Sequence, residues 1–133
     1  MEAMIEHIRL ILAFVGGILG CIFGGFNSLI YALTVFVAID YITGVLLAIR
    51  DKKISSEVGY KGIVRKFLIF LIVSMGNIMD NYVLGTGSTL RTLVIMFYLA
   101  NEGISILENA GQLGLPIPQK LREAIEKLAS SNE

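Results

Sequence analysis

Apolar side chains fill this chain in four long runs, separated by short polar breaks. Between Arg9 and Arg50 a single charged side chain, Asp40, interrupts an otherwise apolar stretch. Wound as helix, that stretch would run about 60 Å, roughly two bilayer hydrocarbon thicknesses. A core helix in water has no use for such length, so the pattern predicts a membrane hairpin. Its first span runs from about Ile8 to Gly25 and its second from about Leu29 to Ile49, joined by Gly25-Phe26-Asn27-Ser28 as a tight turn. A third span follows over Phe67–Leu84, closed by Gly85-Thr86-Gly87-Ser88, and a fourth over Leu90–Leu107.

Between the second and third spans lies the main hydrophilic loop, residues 50–66. Six basic residues (Arg50, Lys52, Lys53, Lys61, Arg65 and Lys66) outweigh Asp51 and Glu57 there. Short basic loops stay cytoplasmic, and each such residue adds about 1 kcal/mol of attraction to an anionic leaflet. Four spans then place both termini in the cytoplasm. Arg91, Glu102 and Glu108 interrupt the fourth span, so three spans plus one interfacial helix is the alternative. Gly114-Leu115-Pro116-Ile117-Pro118 breaks the helix. Gln119–Ala129 then reads as a short amphipathic helix, with Leu121, Ile125 and Leu128 on one face and Glu123 paired with Lys127. That helix is expected on the membrane, on a neighbouring subunit, or as a solubilising tail. The expected fold is an all-α integral membrane protein, one domain over residues 1–133.

Polar groups placed at hydrocarbon depth are the candidate functional residues. Asp40 lies near the middle of the second span, with Thr43 and Gly44 on its face; Asn77, Asp80 and Asn81 form a similar stripe on the third. An acid at that depth costs around 3 kcal/mol on insertion scales, so each should face protein or water. Reflection about Gly85-Thr86-Gly87 puts Asp80 level with Arg91, which predicts an ion pair across the hairpin. Asp40 finds no base at its depth in the first span and is expected protonated, hydrogen-bonded or wet. On the fourth span Arg91, Tyr98, Ser105 and Gln112 recur every seven residues, and Asn101/Glu102 recur as Glu108/Asn109. Seven residues make two turns, so these groups share a face, opposite Leu93, Met96, Leu99, Ala100, Ile104 and Leu107. Either a sealed hydrogen-bond network or a water-filled lumen must satisfy them. Gly16, Gly20 and Gly24 form a small-residue row beside Gly17, Cys21 and Gly25, suited to close helix packing within or between subunits.

Composition narrows the function classes. The formal charge is zero, which gives no basic field for nucleic acid. One cysteine and one histidine provide neither a disulfide framework nor a zinc-ligand set, so no metal or cofactor is expected. No nucleophile–base pair or phosphate-cradling loop is present, which argues against an enzyme. Glu2 and Glu6 beside Arg9, with no A-x-A-like site after, favour a retained first span over a cleaved signal peptide.

Three segments carry a resemblance. They are Asp40-Tyr41-Ile42-Thr43-Gly44; Ser55-Ser56 with Gly59 and Lys61-Gly62; and the run Phe97–Asn109, which contains Asn101-Glu102-Gly103-Ile104-Ser105-Ile106-Leu107-Glu108-Asn109, followed by Gly114-Leu115-Pro116-Ile117-Pro118. Together they resemble the toxin secretion/phage lysis holin family, from about the second span to Leu121. The resemblance implies a phage-encoded homo-oligomer of the host cytoplasmic membrane. Such a protein opens lesions through which a cell-wall hydrolase, or in some relatives a large toxin, passes. Two other readings stay open. Acids at mid-membrane also suit a small ion channel or proton-coupled transporter, and an anti-holin would share the family sequence while opposing lysis.

Overall fold

The computed structural model describes residues 1–23 and 27–131 of the chain. It is all-α in those residues. The helices are α1 (Glu2–Phe23), α2 (Ser28–Arg50), α3 (Ser56–Ile78), α4 (Thr89–Gln112) and α5 (Gln119–Ser131); α3 continues as a widened π-helical stretch over Met79–Leu84. Four of them, α1 to α4, are long and apolar enough to cross a membrane.

Local chemistry explains each helix end. Asn27 caps α2, its side-chain oxygen accepting the N–H groups of Leu29 and Ile30 at 3.1 Å. Ser55 caps α3 by accepting Val58 N–H, and Glu57 sits in the first turn, where the helix dipole favours an acid. Glu57 also pairs with Lys61 one turn on, at 3.1 Å. These contacts start α3 about three turns earlier than the expected third span. The hydrophilic loop 50–66 is therefore mostly helix. Only residues 51–55 connect α2 to α3, through a left-handed Lys52 (φ 55°). At the far end of α4, Gly114 (φ 94°) reverses the chain: its N–H bonds to Gly111 O and that of Leu115 to Ala110 O.

The α3–α4 hairpin is closed by Asp80. Its carboxylate accepts Leu90 N–H (3.0 Å), Arg91 N–H (2.8 Å) and the Thr86 hydroxyl (2.5 Å), so it caps α4 where Ser88 makes no side-chain cap bond. The depth count brings Asp80 to Arg91, where the carboxylate accepts the Arg91 backbone N–H and the two opposite charges attract. Asn81 donates to both the backbone and side-chain oxygens of Asn77 at 2.9 Å, within the same widened turn. Gly76 permits the approach, since a Cβ there would lie 3.4 Å from the Arg91 backbone. Asp80→Ala is expected to lower the melting temperature of detergent-solubilised protein. Asp80→Asn, which keeps one carbonyl acceptor, is expected to fall between the two; equal melting of all three would deny Asp80 its capping role.

The core lies among α2, α3 and α4, where Ile30, Leu33, Val37, Ile69, Val73, Ile95 and Leu99 are buried together. Helix α4 is central, packing on α2, α3 and α5, and so stands beside the other spans rather than apart at a surface. On the apolar face of α4, Leu99, Ala100 and Leu107 are buried. Among the described residues helix α1 rests on α3 alone, and a Cβ added at Gly16 or Gly17 would meet nothing within 4 Å. The glycine row therefore does not serve packing within this subunit at those two positions. Gly24 lies outside the described residues.

Candidate functional site

Three helices each bring one charged side chain to a common point. Lys66 of α3 donates to Asp40 Oδ2 of α2 at 2.5 Å and to Glu102 Oε2 of α4 at 2.7 Å. All three side chains are largely buried, with 10% of Asp40 and Glu102 and 17% of Lys66 exposed. Two carboxyl groups thus share one ammonium and also hydrogen-bond to each other, which takes a shared proton. Asn109 of α4 secures the other oxygen of Asp40 at 3.2 Å and the Thr43 hydroxyl at 3.0 Å. Thr43 turns its own hydroxyl proton back to the carbonyls of Ile39 and Asp40. Ser105 reaches the Asp40 carboxylate as well. Gly44 lies beside this contact, where a Cβ would stand at an ordinary 3.8 Å from the Asn109 amide, so the contact does not require glycine there.

Regular spacing puts these groups together. On α2, Ile30, Leu33, Val37 and Asp40 follow one another at three- and four-residue steps along the buried face. On α3 the same face carries Ile69, Val73, Asn77 and Asp80, and one step before Ile69 stands Lys66. The pairing of Asp40 with a base was missed because Lys66 was assigned to the surface loop. Extending the Asn77–Asp80 stripe three turns back along α3 finds it. Of the six loop bases, Arg50, Lys52, Lys53, Lys61 and Arg65 are exposed, whereas Lys66 turns inward to the two acids. Arg50 bonds to the backbone oxygen of Gln112, tying the ends of α2 and α4 at one level.

The polar face of α4 divides in two. Arg91 and Glu102 are buried and Tyr98, Ser105 and Asn109 half-buried, whereas Asn101, Glu108 and Gln112 are exposed. Each Asn/Glu pair straddles the edge of the packed surface, one member turned in and the other out. Two clefts approach the charged cluster from opposite sides. One, about 660 Å³, lies between α2 and the start of α3 and is walled by Tyr41, Val45, Ala48, Ile54 and Val58. The other, about 620 Å³, lies between α3 and α4, with Arg65, Tyr98, Asn101 and Glu108 on its walls. Asp40, Lys66 and Ser105 border both, so the cluster is a partition between them. Gly59 and Gly62 admit the Tyr41 ring beside it, a Cβ at Gly62 falling 3.3 Å from that ring.

Such a cluster is suited to holding helices together at hydrocarbon depth and to gaining from water when they part. Among the described residues no group of histidine, cysteine and acidic side chains could hold a metal ion.

Comparison with known proteins agrees with this architecture. Residues 17–130 match the model of the bacteriophage holin family. An uncharacterized protein of Clostridium perfringens (strain 13 / Type A) is 39% identical over 132 residues, covering 99% of this chain and 98% of its own. One from Listeria monocytogenes is 43% identical over 110 residues, 83% of this chain and 78% of its own. A protein of Bacillus phage phi105 named as a probable holin is 38% identical over 95 residues, 71% of this chain and 70% of its own. No solved structure matches the chain. A family model spanning nearly the whole chain, on four apolar helices braced by inward charges, leads to one assignment: this membrane protein belongs to the bacteriophage holin family.

Proposed function

We propose that the protein is a holin that oligomerises in the bacterial cytoplasmic membrane of the host and opens lesions there. A cell-wall hydrolase, or a large toxin, then passes and the cell lyses. The observation that carries this reading is the Asp40–Lys66–Glu102 cluster. Three ionisable groups bound to one another in a bundle of apolar helices keep the subunit closed, and each favours water once the helices separate and its partners are lost. Asn101, Glu108 and Arg65, already at the open edge, are the first residues to line a water-filled gap; Tyr98, Ser105, Glu102 and Asn109 follow. The Asp80 cap, with Asn77 and Arg91, keeps the outer hairpin joined while the inner half opens. Basic residues Arg50, Lys52, Lys53, Lys61 and Arg65 hold the α2–α3 turn on the cytoplasmic side, with both termini. Gly16 and Gly17, where an added Cβ would meet nothing within 4 Å, supply close contact between copies, with Gly20 on the same row as Gly16.

Cargo size tests this function. Controlled expression in a bacterial host is expected to release a folded cytoplasmic reporter along with ions. Ion leakage alone at every expression level would instead assign the buried acids to a channel or proton-coupled transporter. Co-expression with a cell-wall hydrolase separates the anti-holin reading, because an anti-holin delays lysis and a holin brings it on.

A further inference from the structure

Two kinds of buried acid stand on the spans. Asp80 meets donors alone: the N–H groups of Leu90 and Arg91 and the Thr86 hydroxyl. Asp40 and Glu102 meet one another as well as Lys66. An ionised carboxylate has no hydrogen to donate, so that bond needs a proton which neither acid would keep in water near neutral pH. With it the closed cluster is one ammonium, one carboxylate and one carboxylic acid, and is neutral. Without it two carboxylates would face each other across a single ammonium, and one buried negative charge would go uncompensated.

The surroundings supply no other balancing charge. The remaining neighbours of Asp40 are the Asn109 amide and the Ser105 hydroxyl, both neutral. In the cleft between α2 and α3 the further titratable side chain is Tyr41; in that between α3 and α4 they are Arg65, Tyr98 and Glu108. Arg65 and Glu108 are exposed and of opposite sign, so water screens them. Neither α1 nor α5 borders these clefts. Helix α5 instead docks Ile125 against Gly103, where a Cβ would meet its side chain at 3.0 Å. Its Glu123 takes a hydrogen bond from Gln119 rather than from the expected Lys127. The α3–α4 cleft runs from exposed Asn101 and Glu108 to Glu102 and Lys66, which gives the proton a polar way out.

We infer that the closed Asp40–Lys66–Glu102 cluster carries one proton more than its parted members, so that opening of the subunit releases a proton and is favoured by alkaline conditions. This rests on the lesion-forming reading above and supplies its regulation. In water, between about pH 4 and about pH 10, the three parted groups are two carboxylates and one ammonium. On opening, the carboxyl O–H bond breaks, its proton goes to water or buffer, and the electron pair stays on oxygen. The closed form therefore binds more protons than the open one, and raising the pH draws the equilibrium towards opening. For one proton the gain is up to about tenfold per pH unit. It ends where the closed cluster has itself lost the proton. Lowering the pH through the same window holds the subunit closed.

The test uses the full chain in lipid vesicles, between about pH 6 and about pH 9, inside that window. Infrared difference spectra are expected to show the carbonyl stretch of a protonated carboxyl group at the acid end and its loss at the alkaline end. Glu102→Gln and Asp40→Asn are each expected to lack that band, since one acid beside one ammonium needs no further proton. Release of a folded protein from the vesicles is expected to quicken severalfold per pH unit with the parental chain and to ignore pH with either variant. Absence of the band from the parent overturns the proposal. So does its persistence in Asp40→Asn, which would give the proton to Glu102 alone, and so does parental release that ignores pH or follows it no more than the variants do. Should a variant fail to insert, the parent decides: band loss and release advancing together support the proposal, and a constant band under changing release overturns it. A band that titrates in a chain releasing no protein at any pH would sink the lesion reading and leave the proton-holding cluster standing.

Discussion

Replacing Lys66 with Met is expected to disrupt the bundle more than any other single change. Lys66 is the one base touching both Asp40 and Glu102. Removing one member of a buried ion pair costs about 3–5 kcal/mol, because its partner is left buried and uncompensated. Here two carboxylates lose their counter-charge together, at the junction of α2, α3 and α4. The expected result is a large fall in melting temperature in detergent and reduced accumulation in membranes. The triple variant Asp40→Leu, Lys66→Met, Glu102→Leu is the matching control. Apolar side chains in place of a buried charge cluster are often neutral or stabilising, so its melting temperature should return to the parental range. Its lysis should not return, since nothing then draws water between the helices. If Lys66→Met melts like the parent, the cluster does not hold the helices together.

Four spans, the break before α5 and the polar face of α4 were all legible from the spacing of apolar and polar residues. Those features follow from helix periodicity and bilayer thickness, both properties of local sequence. The partner of Asp40 was not legible in that way. Lys66 sits in a stretch rich in charge and small residues, which reads as loop until the Ser55 cap and the Glu57–Lys61 pair are seen to start the helix at Ser56. Sequence likewise marked Asn101/Glu102 and Glu108/Asn109 as one polar strip. Which member turns inward depends on where α2 and α3 pack, a tertiary fact that periodicity alone does not contain. The amphipathic face of α5 was legible through Ile125 and Leu128, but Leu121 is exposed, and the docking against Gly103 was not foreseen. Gly103 within the Asn-Glu-Gly run is the available signal: unlike Gly111 near the end of α4, it clears space that a neighbouring side chain fills.

Glu102→Leu is expected to abolish lysis while leaving membrane insertion intact. The contrast with Lys66→Met follows from charge balance. With Glu102 gone, Lys66 and Asp40 form a one-to-one pair, and Asp40 keeps its bond from Asn109. The closed bundle then holds one buried acid fewer and gains an apolar side chain facing its core, so the barrier to separating α4 from α3 rises. Glu102→Gln retains an acceptor for Lys66 without the negative charge and is expected to delay lysis without preventing it. Timing is read from culture density after induction, and insertion from carbonate-resistant membrane protein. Parental lysis timing in Glu102→Leu would remove this carboxylate from triggering and leave it a packing role. A graded delay, with Gln between Glu and Leu, would mean that hydrogen-bonding capacity at position 102, beyond its charge, sets how readily the closed subunit admits water.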